Sequence, residues 1–559
     1  IDSGATSVSI LQNSIHSNGG IGIDLGTDGV TANDAGDGDS GANNLLNFPV
    51  LNSLTASGTS LFYDLNLDAA TNADGYRIEF FVSDAASATG NGSGETYLGY
   101  LDVTGPGADT NYTGTLTMSQ SLSSGDIITV TATAISGAGY GPTSEFSGNI
   151  AVVLGSLVVT NTNASGSGSL AEAISLANAD AGLDEIEFDI SGTGPFTITL
   201  SSGLTVTDAD VTIDATTQTG TVCGDLWNGD GHTIMVELDG PGSDYGITSS
   251  AANTTIKGLS ITDFQVGIVG DSASSGLTVQ CNYIGLNPDG TAGANTGAGV
   301  AVQGSSPLIG GLTSGQGNVI SSNYYGVLSD NGASGIMLRG NFIGSDPTGA
   351  SARANEVGIN NFTGATTWSD ITQNLISGNT AQGILFDSGD TITGSSGDLN
   401  ITGNYIGLNR AGDAALANGG DGLSFDAGTS GVTIGGIVDS ARNLISGNGT
   451  SGIWLNGASD ITIYGNYIGL DATGTTAVGN SSVGIASSGA NNLTIGTGVS
   501  AGRNVIAGNG SRAIQPQGTY SSLTISGNYV GTDATGNVAL SNGWAVGTNV
   551  QDGISFDGG

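Results

Sequence analysis

Residues able to do chemistry are few in this chain and unevenly spread. The densest set of oxygen donors lies near the N-terminus: Asp28, Asn33, Asp34, Asp37 and Asp39, interleaved with Gly29, Gly36 and Gly38. Oxygen ligands at close spacing, with glycines that let the backbone wrap, are what a hard cation such as Ca2+ requires. The loop is not an EF-hand, because the Glu that closes such a loop is missing. These five residues are therefore the candidate Ca2+ ligands, and an Asp/Gly turn without an ion is the alternative. Groups for acid–base or covalent work are isolated. His16 and His232 stand alone, Lys257 is the only lysine, and the arginines are scattered. A lyase needs a positioned base, and a hydrolase needs paired carboxylates. Asp289, Asp346, Asp471 and Asp533 are present, but each sits in or near a repeated turn, where Asp is a turn-former. Arg442 and Arg503 occupy equivalent places before a repeated Asn, which points to a repeated structural role. The chain is accordingly expected not to be an enzyme.

Composition narrows the partners. Asp and Glu number 49 against 8 Lys and Arg, giving a net charge of −41. That balance repels nucleic acid and anionic membrane surfaces and suits a Ca2+-rich exterior. No apolar run is long enough to span a membrane. Two cysteines, Cys223 and Cys281, fit either one disulfide of an extracellular protein or two buried thiols. The chain opens on Ile1 without a Met and reads as a mature or excerpted segment. Gly is abundant, at 98 residues, yet 37% of residues are hydrophobic, enough for a core.

The elements that must carry these residues follow from a repeat. Asn282-Tyr-Ile-Gly recurs as Asn341-Phe-Ile-Gly, Asn404-Tyr-Ile-Gly, Asn466-Tyr-Ile-Gly and Asn528-Tyr-Val-Gly. A second phrase alternates with it: Asn318-Val-Ile-Ser, Asn374-Leu-Ile-Ser, Asn443-Leu-Ile-Ser and Asn504-Val-Ile-Ala. Each is preceded by short Gly-Ile and Thr-Ile runs, so one period holds six short strands in two coils of three. Strands this short, with no helices between, predict a parallel β-helix, right-handed by the chirality of parallel crossovers. Stacked coils bring equivalent residues about 4.8 Å apart, so Asn282, Asn341, Asn404, Asn466 and Asn528 are expected to form an internal amide ladder. Residues 233–559 are assigned to this solenoid. Residues 155–232 are assigned to its N-terminal cap and first strands. Leu170, Ala173, Ile174 and Ala177 lie on one helical face behind an N-cap Ser169 with Glu172 three residues on. Residues 46–154 alternate apolar and polar in strand-length runs and predict an antiparallel β-sandwich. Residues 1–45 are expected to be terminal coils of a β-helix carrying the acidic loop. The fold class is thus all-β: a solenoid, a sandwich and one capping helix.

These phrases resemble a family of bacterial secreted and cell-surface proteins with right-handed parallel β-helix repeats of pectate-lyase-like architecture. The opening segment Gly168-Ser-Leu-Ala-Glu-Ala-Ile174 carries the resemblance, with Ala171 where the family usually has Arg, as do the Gly22-Ile-Asp-Leu25 stretch and the Ile78-Glu-Phe-Phe81 strand. The resemblance implies that the sandwich of residues 46–154 is immunoglobulin-like, and it implies a large extracellular or surface protein and no single activity.

The last run, Gly553-Ile-Ser-Phe556, and the first, Val8-Ser-Ile10 with Asn13-Ser-Ile15, together compose one coil. The expectation that follows is the structural unit of an extracellular fibre, propagating head-to-tail with itself as separate subunits or as tandem repeats of one giant chain, through an interface of Val8, Ile10, Ile15, Ile554 and Phe556. A polysaccharide-binding adhesin, contacting glycans or a host surface, is the alternative, with a polysaccharide lyase or hydrolase behind it.

Overall fold

A computed structural model describes residues 1–559 except 2–3, 27, 58, 105–108, 124, 180–183, 331, 363–364, 388–390, 395–398, 544–551 and 557–559. The chain divides into two units, Ile1–Ser156 and Leu157–Gly559. No helix among the described residues is long and apolar enough to cross a membrane.

The second unit is a parallel β-helix. The chain visits three parallel sheets in turn, here called I, II and III, of 14, 12 and 11 strands. One period shows the path. Ser459–Tyr464 lies in sheet I, Tyr467–Ile468 in II and Ile485–Ser488 in III; Asn491–Ile495, Val505–Ile506 and Ile514–Gln517 repeat the circuit. Register is residue on residue: Ile461 on Leu493, Ile468 on Ile506, Ile485 on Ile514. Alternation sets the core. Ile461 and Ile463 are fully buried while Thr462 between them is not. Each buried Ile contributes roughly 1.5–3 kcal/mol. The one α-helix among the described residues, α1 (Leu170–Ala177), closes the N-terminal end of this core with Leu170, Ala173, Ile174 and Ala177. Ser169 Oγ accepts from Glu172 N at 3.1 Å, and the Glu172 carboxylate accepts from Gly168 N at 2.6 Å, so one N–H of the first turn and one just before the N-cap are satisfied. Strands of sheet I begin at Val158, and the strands of 155–232 stack in register with those of 233–559.

The turns of the coil are held by two amide ladders. Asn282, Asn341, Asn404, Asn466 and Asn528 are alternate rungs of the first; Asn318, Asn374, Asn443 and Asn504 fill the places between them. Each Nδ2 donates to the next rung's Oδ1 at 2.9–3.1 Å. It also donates to a sheet I carbonyl, as Asn466 does to Ile434 O at 2.8 Å. The second ladder runs from Asn295 through Asn323 and Asn355 to Asn509 and Asn542, at the turn between sheets II and III. The last described run returns to sheet III, where Ile554 bridges Ile514 in parallel; Ile554 and Phe556 are exposed.

The first unit is a sandwich. Strands β1 (Val50–Ser57), β2 (Ser60–Leu67) and β5 (Thr110–Thr117) form one sheet in the order β5-β2-β1. Strands β3 (Tyr76–Ser83), β4 (Thr96–Val103), β6 (Ile127–Ser136) and β7 (Gly139–Thr143) form the other, in the order β4-β3-β6-β7. Leu61, Leu65, Ile78, Phe80 and Val130 fill the space between them. Residues 1–45 do not form coils. Among the described residues this segment has no strand, and Ile10 and Ile15 pack with Ile23, Leu25, Phe81 and Phe146. Two buried carboxylates hold it: Glu79 accepts from Gln12 N at 2.9 Å, and Glu145 accepts from Leu25 N and Thr31 N, each at 2.8 Å. Burial pushes both carboxyls above the ordinary range, and those backbone donors act in the opposite direction. Val8 is bracketed by Asn43, whose side chain donates to Val8 O and accepts from Val8 N.

Candidate functional site

Sheet II is built mostly from strands of two residues, which face opposite ways. In the Asn-Tyr-Ile-Gly phrase the second of the pair, such as Ile406 or Ile468, enters the solenoid core. The first points outward. Down the sheet the outward positions read Tyr283, Val319, Phe342, Leu375, Tyr405, Leu444, Tyr467, Val505 and Tyr529. An aromatic ring therefore recurs on every second coil.

The first half of this row is covered by a strap, residues 218–232. Leu226 and Trp227 pack on Tyr283, Val319, Phe342 and Leu375. The Trp227 ring meets Phe342 and Tyr405 edge-on at 5.4 and 5.1 Å, and its Nε1–H donates to Gln373 O at 3.2 Å. Arg410 pins it from outside, with Nη1 donating to Trp227 O at 2.8 Å and Nε to Thr348 O at 3.0 Å. A disulfide joins Cys223 to Cys281. Cys281 sits at φ +56°, where the other four copies of the phrase have Gly340, Gly403, Gly465 and Gly527 at φ +68° to +76°. A side chain in that region costs on the order of 1 kcal/mol. The strap's anchor has thus replaced a turn glycine.

His232 ends the strap and is structural. Its Nε2 meets Gly317 O at 2.7 Å, and Tyr283 Oη donates to its backbone carbonyl at 2.7 Å. Burial pushes the imidazole down to about 4, against the opposing pull of the Gly317 hydrogen bond. An unfolded histidine titrates near 6.5, so the unfolded chain binds this proton more readily. The stability is fully present above about 6.5 and is lost as pH falls toward 4, by up to about 3 kcal/mol. The urea midpoint is expected to drop over that window, and His232→Gln is expected to flatten this part of the profile. An unchanged profile in the variant refutes the assignment.

Beyond Trp227 the aromatic row is open. A cleft of about 270 Å3 is lined by Trp227, Tyr405, Leu444, Arg442 and Ala472 among others. A second, of about 470 Å3, is lined by Tyr467, Val505, Arg503, Ala534 and Arg442. The arginines are laid on the rings. Arg442 stands 4.3 Å from the Tyr467 centroid and Arg503 3.9 Å from that of Tyr529. Arg442 also pairs with the exposed Asp439 at 2.6 Å, whereas Arg503 Nε donates to Gly527 O at 3.0 Å. Arginines scattered in sequence are therefore gathered on one face: Arg410 holds the strap, and Arg442 and Arg503 line the clefts. The aromatic row escapes a reading of the repeat as a fold marker. The signal that finds it is the strand length: with two residues per strand, one must face out.

The turn carboxylates do not enter the clefts as free acids. Asp289, Asp346, Asp471 and Asp533 each accept from backbone N–H or hydroxyl groups two to five residues on. Burial alone would raise Asp471, but hydrogen bonds from Thr473, Thr475 and Thr476 hold it below the ordinary carboxylate range. Such a group accepts hydrogen bonds and does not serve as a proton donor at neutral pH.

Of the candidate Ca2+ ligands in the first unit, Asp34, Asp37 and Asp39 come together, with one oxygen of each within 4.8 Å of the others. Burial raises Asp37 and Asp39, and the neighbouring carboxylates raise them further. A cation held by this trio would reverse that shift and take three of the six to eight oxygens Ca2+ requires. The Asn33 side chain pairs with Phe48, donating to O at 2.8 Å and accepting from N at 3.1 Å. Asp28 lies outside the trio.

No family model matches the chain, and no curated protein sequence matches it. Solved structures do. The chain is similar to the A-module of mannuronan C-5 epimerase AlgE4 from Azotobacter vinelandii, at 14% identity and TM-score 0.32, covering 72% of this chain and 95% of that one. It is similar to the catalytic unit of a GH87 alpha-1,3-glucanase from Streptomyces thermodiastaticus, at 14% identity and TM-score 0.28, covering 91% and 96%. A third is the enzymatically active domain of tailspike protein 2 of bacteriophage CBA120, at 11% identity and TM-score 0.32, covering 78% and 57%. The expectation that the chain is not an enzyme is corrected on this finding, since these solved structures are of proteins described as enzymatically active. At such identities they assign no activity here.

Proposed function

We propose that the outer face of sheet II is a carbohydrate-binding groove and that the protein works outside the cell, on a surface or matrix glycan. The observation that carries this reading is the half-open row of Tyr405, Tyr467 and Tyr529, one ring per period, with Arg442 and Arg503 laid across it. Rings with planar guanidinium groups stacked on them offer flat surfaces to sugar rings, and the guanidinium N–H groups donate to hydroxyl or carboxylate oxygens. The head-to-tail fibre is not part of this proposal, since Ile10 and Ile15 are packed within their own unit.

The test is retention of the full chain in native gels containing soluble plant, algal and bacterial polysaccharides. Retention is expected in at least one gel, and Tyr467→Ala is expected to weaken it about tenfold. A wild-type chain retained by no polysaccharide, or a variant retained equally, overturns the reading. New reducing or unsaturated ends in the retaining polymer measure whether binding is followed by cleavage.

A further inference from the structure

The two open clefts are copies of each other. Tyr405, Leu444, Arg442 and Ala472 in the first correspond in the repeat to Tyr467, Val505, Arg503 and Ala534 in the second. They lie two coils apart along sheet II, because Leu444 and Tyr467 are successive partners between Tyr405 and Val505. Two coils rise about 10 Å, near the length of one disaccharide of an extended glycan. Resting on the carbohydrate-binding reading above, we infer that these clefts are successive subsites for one linear acidic glycan, with its acid group repeating once per disaccharide.

The acid is specified by the arginines. Each of the two open clefts has one guanidinium from its own period, Arg442 or Arg503, in a chain with 49 acidic residues and only 8 basic ones. Lys257, Arg77 and Arg339 are matched with Asp214, Asp102 and Asp370. Arg442 has Asp439. In the second copy Ser500 stands where Asp439 stands in the first, each opening a short turn that leads to its arginine. Arg503 consequently rests on Tyr529 and the Gly527 carbonyl, with no carboxylate among the described residues within ion-pair distance. A ligand carboxylate would supply the missing partner, and the planar guanidinium favours a bidentate contact. The net charge of −41 opposes a polyanion at long range, but it is screened beyond about 8 Å at physiological ionic strength, so the local pair decides the contact.

The test uses the full chain with hyaluronan, unsulfated chondroitin and heparosan, which carry one uronate per disaccharide, and with their carboxyl-reduced forms. At least one native polymer is expected to bind about tenfold tighter than its reduced form. Its tetrasaccharide, long enough to meet both arginines, is expected to outbind its disaccharide by a similar factor. Arg503→Gln should abolish the preference for the acid. Ser500→Asp, which removes nothing but gives Arg503 a carboxylate, should weaken acidic binding while leaving neutral glycans unaffected. Equal binding of reduced and native polymers overturns the acidic assignment and leaves the groove standing. So does failure of every uronate polymer while a neutral polysaccharide is retained. Retention of no glycan of any kind removes both readings.

Discussion

Asn443→Leu is expected to destabilise the solenoid by about 4 kcal/mol. Asn443 is a fully buried rung near the middle of the first ladder. Its Nδ2 donates to Ile401 O at 2.7 Å and to Asn466 Oδ1 at 2.9 Å, and its Oδ1 accepts from Asn404 N and Nδ2 at 2.9 and 3.0 Å. Leucine has nearly the shape of asparagine and none of its polar atoms. The substitution therefore strands buried groups of Ile401 and Asn404 at once, each at a cost of about 1–3 kcal/mol. Asn528→Leu is the comparison. That rung is only part-buried, water can reach its partners, and about 1 kcal/mol is expected. Urea unfolding of the two variants measures the contrast. Equal midpoints would show that the amide column is incidental to stability.

Loss of the Cys223–Cys281 bond should have an effect of similar size. The bond closes a loop of 58 residues, worth about 4 kcal/mol as a restriction on the unfolded chain. It is also the covalent anchor of the strap. Cys223→Ser with Cys281→Ser is expected to lower the melting temperature and to raise the accessibility of Trp227 to a collisional quencher. Cys223→Ser with Cys281→Gly should recover about 1 kcal/mol of that loss, because glycine returns to a position held at φ +56°. If the serine and glycine versions melt together, the backbone strain assigned to Cys281 is wrong. A reduced wild type that melts like the oxidised one would show that the loop is held by packing alone.

The solenoid was legible because its signals are local and repeated. Two-residue apolar pairs after Asn, and Thr-Ile alternation, recur often enough to fix the coil, and Ser169 with Glu172 marks the helix start. The sandwich strands were legible for the same reason. The groove was not, because it depends on which residue of each short strand faces outward and on how far the strap reaches. Trp227 is held by Arg410, which lies 183 residues away in sequence. Nothing near either residue announces the other. In the N-terminal segment Val8-Ser-Ile10 has the alternation of a coil strand, which local pattern alone cannot tell from a packed irregular segment. What commits it elsewhere is Glu79 and Glu145, two buried acids in the sandwich that accept its backbone N–H groups. In the acidic loop, residue type marks the oxygen donors, but that Asp34, Asp37 and Asp39 converge while Asn33 pairs with Phe48 is set by tertiary contacts.

The amide columns also give the solenoid a direction. Every rung donates from Nδ2 to the Oδ1 of the rung after it, without reversal, from Asn282 to Asn528 and from Asn295 to Asn542. Each column begins on a backbone donor, Leu259 N–H for one and Phe264 N–H for the other, both at 3.0 Å. Aligned amides polarise one another, so the two columns act as parallel dipoles with their hydrogen-bearing poles toward the C-terminal side. Any element that continues the stack beyond Asn528 and Asn542 must therefore meet it with oxygen, and any element that precedes it must meet it with N–H. The axis is chemically one-way, like that of an α-helix, although it is written in side chains.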